Sequence, residues 1–128
     1  MSETAEPQIQ VLPYELIGGD AGLRKLIDRF YDIMDSDPSL AELRALHGAD
    51  LAPMRQRLFE FMSGWLGGPR LYDSCVISAH RRFAIGERER DQWLVCMKRA
   101  MADMNLPKST LDLFAVPFAR MADAMKNK

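Results

Sequence analysis

Apolar residues recur at helical spacing through most of the chain. Leu23, Leu26, Ile27, Phe30, Tyr31 and Met34 fall on one face, which predicts a helix from Asp20 to about Met34. Asp20 follows Gly18-Gly19 and is the expected N-cap, and Asp35 to Pro38 ends the helix. A short helical piece is expected over Pro38 to Leu46. His47-Gly48-Ala49-Asp50 then reads as a turn with Asp50 as a cap, and Pro53 suits the first turn of the next helix. That helix carries Met54, Leu58, Phe61, Met62 and Trp65, and Gly67-Gly68-Pro69 stops it.

Arg70 to Ala84 has no clean period and reads as a loop with a short helix containing His80. Gly86 and the Glu87-Arg88-Glu89 run open a long helix, with acids in the turn where the macrodipole favours them. Its apolar residues are Trp93, Leu94, Met97, Ala100, Met101 and Met104, and Asn105-Leu106-Pro107 closes it. Ser109 or Thr110 caps a last helix bearing Leu111, Phe114, Phe118, Met121 and Met125. Pro117 inside that helix should kink it, at about 3 kcal/mol unless its surroundings compensate. No strand alternation, internal repeat or low-complexity tract is visible, so the fold class is all-α. Residues 1–14 read as a flexible N-terminal tail and 15–128 as a single domain.

Composition narrows the function. The chain has 128 residues, 48% hydrophobic and 27% charged, with a formal charge of −1. A strongly basic nucleic-acid surface is not expected, and no apolar run approaches the roughly 18 residues of a membrane span. The polar, acidic start lacks the features of a secretory signal, which points to the cytoplasm. Cys75 and Cys96 are too few for a disulfide scaffold or zinc cluster, and both read as free thiols, Cys96 in the core. A phosphate-cradling loop, a dinucleotide fingerprint, a zinc-protease motif, Cys-x-x-Cys and a nucleophile elbow are all missing. What remains is a Met- and aromatic-rich helical domain whose only histidines are His47 and His80. Taken alone, a lone histidine is more often structural than a ligand, and methionines at helical spacing more often fill a core.

The combination of motifs is more specific. Arg29-Phe30-Tyr31 lies on the first long helix and His47-x-x-Asp50-Leu51 at a helix start. Phe61 and Trp65 precede Gly67-Gly68-Pro69-x-x-Tyr72, and His80-x-x-Phe83-x-Ile85 precedes Arg90-Asp91-x-Trp93-Leu94-x-Cys96-Met97. From Gly18 to Met104 this resembles the group II truncated haemoglobins, two-over-two helical globins built around haem. The resemblance implies one non-covalent haem b (iron protoporphyrin IX), with His80 as the proximal iron ligand. A neutral imidazole gives iron one strong axial bond and leaves the other face open for a gas.

On the distal face the resemblance assigns Tyr31, Trp93 and His47 as donors to a diatomic ligand. Such bonds are charge-assisted and should slow oxygen release. Met54 and Leu58 match the haem-facing positions of the distal helix, and Phe61 matches a haem-wall phenylalanine. Phe83, Ile85 and Met97 are expected around the haem. One departure concerns the stretch between Gly67-Gly68-Pro69 and His80. It is several residues shorter than the family's, and Ser78-Ala79 stand where a basic residue normally precedes the histidine. Arg81, Arg82 or Arg70 would then have to meet the propionates.

Three readings follow. The leading one is a haem protein that binds dioxygen reversibly, with roles in oxygen transport or in scavenging nitric oxide and reactive species. Nitric-oxide dioxygenase-like or peroxidase side activity is compatible with it, as are a reductase partner and a monomer or weak dimer. The second is a peroxidase-like enzyme in which His47 or Tyr31 assists proton transfer. The third is a cofactor-free helical interaction module.

Overall fold

Glycine and proline set the first corners of the chain. The computed structural model describes residues 12–72, 80 and 83–128, and every regular element among them is helical. The first turn, α1 (Pro13–Leu16), starts on a proline whose missing N–H costs nothing there. It thus includes Pro13 and Tyr14, which the sequence assigned to the tail. The Tyr14 N–H donates to the Leu66 carbonyl at 2.9 Å, and its ring lies where a Cβ on Gly68 would come within 2.5 Å.

The next helix, α2 (Gly19–Ser36), is capped by Gly18 rather than Asp20. Gly18 and Gly19 both have positive φ, and a Cβ on Gly22 would strike the Ile17 carbonyl oxygen at 1.8 Å. A corner this tight selects glycine over a side-chain cap, and Asp20 sits inside the first turn, where its charge favours the dipole. Leu23, Leu26, Ile27, Phe30, Tyr31, Ile33 and Met34 are all buried, as their spacing predicts.

A single 3-10 turn (Pro38–Leu40) leads into α3 (Ala41–Ala45), matching the expected short helical piece. Asp50 Oδ1 accepts the Ala52 N–H at 3.0 Å, and α4 (Ala52–Trp65) follows. Beyond it, the Ser63 hydroxyl, fully buried, donates to the Pro69 carbonyl at 2.6 Å and fixes the Gly-Gly-Pro turn. Glu89 folds back onto the Gly86 N–H at 2.8 Å and starts α5 (Glu87–Ala102). The last helix, α6 (Lys108–Met125), begins after Pro107. Ser109 and Thr110 lie within it and do not cap it. Pro117 does not end α6; the carbonyl it leaves unbonded is that of Leu113, an exposed residue, so water can reach it.

The helices pack as two pairs. α2 lies against α4 and α5, α6 closes on α5, and α3 docks on α5. Gln92 joins α3 to α5 by accepting the Leu43 N–H at 2.9 Å and donating to Glu42 at 2.8 Å. Arg55 ties α4 to α2 through Asp28 and Asp32, at 3.1 and 2.8 Å. The thiol of Cys96, fully buried, donates to the Phe30 carbonyl at 3.0 Å, and burial pushes its pKa up to about 12. Cys75 lies outside the described residues. None of the described helices is long and apolar enough to cross a membrane.

Candidate functional site

Helix α4 is apolar on two sides. Phe59 and Met62 point into the core, whereas Met54, Leu58 and Phe61 are only partly buried and line a cavity of about 280 Å³. Tyr31 of α2 and His47 after α3 line it side by side, their rings 5.8 Å apart. His80, Phe83 and Ile85, Trp93 of α5, and Met121, Ala122 and Met125 of α6 also line it.

The structure therefore brings together most of the residues singled out by sequence. His80, Tyr31, His47, Met54, Leu58, Phe61, Phe83, Ile85 and Trp93 share this one cavity. Met97 does not line it. Although one turn from Trp93, it is 1% exposed and sits in the core among the α2 residues. The cavity ends along α5 between those two positions. Arg81 and Arg82 lie outside the described residues.

Several lining residues had not been assigned. Leu43 and Leu46 extend the wall behind His47, and Tyr72 packs edge-on against Phe61 at 6.1 Å. Met121 and Met125 were read as core, and only the tertiary placement of α6 turns them toward a void. Arg57, Glu89 and Arg90 are the charged members of the lining. Arg57 is three residues from Met54, a spacing that could have flagged it. Arg90 is engaged with Asp91 and Asp123 at 2.8 and 2.5 Å, while Arg57 has no ion pair among the described residues.

The polar groups facing the cavity differ in what they can offer. Tyr31 is 4% exposed, and burial raises its pKa above the ordinary phenol value, so it stays a neutral donor. Its ring is held edge-on by Phe30 at 5.0 Å and His47 at 5.8 Å. Its hydroxyl has no hydrogen-bond partner among the described residues, nor has the indole N–H of Trp93. Phe30 and Phe118 hold the Trp93 ring at 5.6 and 5.9 Å. His47 behaves differently from the expected donor. Its Nδ1 lies 3.0 Å from the Leu43 carbonyl, which only accepts, so Nδ1 carries the proton. Burial lowers the His47 pKa, outweighing the opposing bond to Leu43, and nearby Arg44 and His80 lower it further. Neutral His47, a lining residue of the cavity, is thus left with Nε2 as an acceptor.

An apolar cavity lined by two histidines and by two donors, Tyr31 and Trp93, that lack partners among the described residues agrees with the comparison to known families. The bacterial-like globin family matches residues 13–127. The chain belongs to that family. It is 34% identical over 99 residues to the group 2 truncated hemoglobin YjbI of Bacillus subtilis (strain 168), covering 73% of this chain and 72% of that one. The group II 2-on-2 hemoglobin of Agrobacterium tumefaciens superposes with a TM-score of 0.88 at 36% identity, over 95% of this globin and 98% of the other chain. The truncated oxygen-avid haemoglobin of Bacillus subtilis gives 0.81 at 30% identity, over 91% and 100%. This globin is a group II truncated haemoglobin with the two-over-two fold, and haem binding follows from that membership.

The residues present fit such a group. A flat macrocycle needs an apolar slot, an axial nitrogen and polar partners confined to its edges and open face. Met54, Leu58, Phe61, Ile85 and Met121 supply apolar walls, His80 a nitrogen, Arg57 a cation on the lining. The orphaned hydroxyl of Tyr31 is costly to bury unless a bound molecule meets it.

Proposed function

We propose that this globin holds haem b with His80 as its axial iron ligand and binds dioxygen reversibly. The observation that carries the reading is the pair of unsatisfied donors, Tyr31 O–H and Trp93 N–H, on the cavity that His80 also lines. Haem supplies a ferrous iron that coordinates a diatomic ligand reversibly. Arg57 would pair with a propionate, taking the part that Arg81, Arg82 or Arg70 was expected to play. Tyr31 and Trp93 then donate to the ligand, and His47 orients the tyrosine by packing edge-on against its ring. Slow oxygen release follows, in keeping with a relative described as oxygen-avid.

The absorption spectra of ferric, ferrous and oxygenated protein test this directly. A Soret band and a stable oxygenated form are expected. Protein expressed with ample haem that shows no Soret band defeats the reading. His80→Ala should lose haem or hold it weakly, and full occupancy with an unchanged spectrum would refute the ligand assignment.

One feature favours a second reading, peroxidase-like activity. His47 presents an unprotonated nitrogen to the cavity, the acceptor a peroxide substrate requires. Rapid mixing of ferric protein with hydrogen peroxide separates the two readings. A fast reaction abolished by His47→Ala supports it, and a slow reaction that bleaches the haem rejects it.

A further inference from the structure

The backbone that carries His80 is gripped by a residue more than 40 positions away. Asn127 donates from Nδ2 to the Phe83 carbonyl at 2.7 Å and to the His80 carbonyl at 3.4 Å. Its Oδ1 accepts the Ile85 N–H at 2.9 Å, and its own N–H donates to the Ile85 carbonyl at 2.8 Å. One side-chain amide and one backbone N–H therefore engage both ends of the His80–Ile85 segment. Only an amide side chain carries donor and acceptor in one short planar fork; aspartate would lose the donor and leucine both.

The clamp is itself anchored. Lys126 is extended, with φ −66° and ψ 134°, and turns the chain off the end of α6 toward Ile85. That same helix forms the cavity wall through Met121, Ala122 and Met125. It is pinned to α5 by Asp123 and Arg90. Ile85, held on both its N–H and its carbonyl, is 7% exposed and lines the cavity.

We propose that Asn127 is a positioning residue: it ties the backbone of His80, Phe83 and Ile85 to the end of α6 and so sets the approach of the His80 imidazole to the cavity. The proposal rests on the reading of His80 as the iron ligand. Outer partners that orient a ligating histidine change metal-site retention by about tenfold to a hundredfold when removed.

The test compares wild type, Asn127→Leu and Asn127→Asp as haem-loaded protein. Three quantities are read: amide hydrogen exchange at Ile85, haem transfer to excess apomyoglobin, and the iron–histidine stretching band of the ferrous form. In Asn127→Leu, Ile85 exchange should quicken by about tenfold, the worth of one lost hydrogen bond. Haem transfer should quicken by about tenfold or more, and the iron–histidine band should shift or broaden. Asn127→Asp keeps the acceptor for Ile85, so it should retain the exchange protection while still losing haem faster than wild type. Unchanged Ile85 exchange in Asn127→Leu overturns the clamp. Fast Ile85 exchange with wild-type haem transfer and an unmoved band overturns the positioning role. Wild-type protein without a histidine-ligated haem band overturns the reading of His80 and the positioning role with it, while Ile85 exchange still reports whether the clamp forms.

Discussion

The two sides of α4 face different kinds of interior. On one side, Phe59 and Met62 join Leu23, Leu26, Phe30 and Met97 in a core where even the thiol of Cys96 has found a carbonyl. On the other side, Met54, Leu58 and Phe61 border open space, and Tyr31 and Trp93 bring donors that nothing among the described residues satisfies. Both sides are apolar, and both would read as core from the sequence. The difference is that one is complete and the other awaits a molecule. Packing stabilises the first, and the second gives up stability to keep a shape.

The largest effect should come from the complete side. Phe30, 1% exposed, should cost about 3–5 kcal/mol when changed to alanine, whereas Leu58→Ala should cost at most about 1.5 kcal/mol, since its side chain already borders a void. Urea unfolding of the haem-free protein measures both. Equal losses would erase the distinction.

The cavity side should show its importance in ligand kinetics instead. Tyr31→Phe together with Trp93→Phe should speed oxygen release by at least about tenfold, because two charge-assisted donors disappear. Tyr31→Phe alone should leave unfolding of the haem-free protein within about 0.5 kcal/mol, since it removes an unsatisfied hydroxyl. Unchanged release would place the ligand's donors elsewhere. Ser63→Ala makes the reverse case. Its hydroxyl is spent on the Pro69 carbonyl, so the change should cost about 1–3 kcal/mol of stability.

The smallest effect concerns pH. The folded His47 pKa lies below its unfolded value because the ring is buried, so protonation favours the unfolded chain. Stability of the haem-free protein from this group is full above the ordinary histidine range and falls as pH drops through and below it. The difference in urea midpoint between wild type and His47→Gln should therefore narrow on acidification from pH near 7.5 to near 5. A constant difference would mean that His47 is not desolvated in solution.

The helices were legible because a single period of three to four governs Leu23 to Met34 and Trp93 to Met101 alike. Their starts were less so. Asp20 and Ser109 looked like caps, but a backbone corner at Gly18 and an extended Pro107 decided those ends, and neither depends on a side-chain oxygen. The motif around His80 placed most of the cavity lining. It failed at Met97, because helical spacing fixes direction around an axis but not where along the axis a void ends. Phe59 was missed because α4 has two apolar faces and the sequence does not say which meets protein. Asn127 left no local signal at all: its partners are 42 to 47 residues away.

That separation has a consequence for synthesis. A ribosome adding about 5–20 residues per second needs a few seconds to pass from His80 to Asn127. Throughout that interval α2, α3 and α4 are already synthesised, yet His80, Phe83 and Ile85 still lack the grip of Asn127. With His80 as the proposed ligand, haem captured before Asn127 is added would meet a loosely held imidazole, so secure loading waits for Asn127, and a translation product stalled short of it should carry little haem.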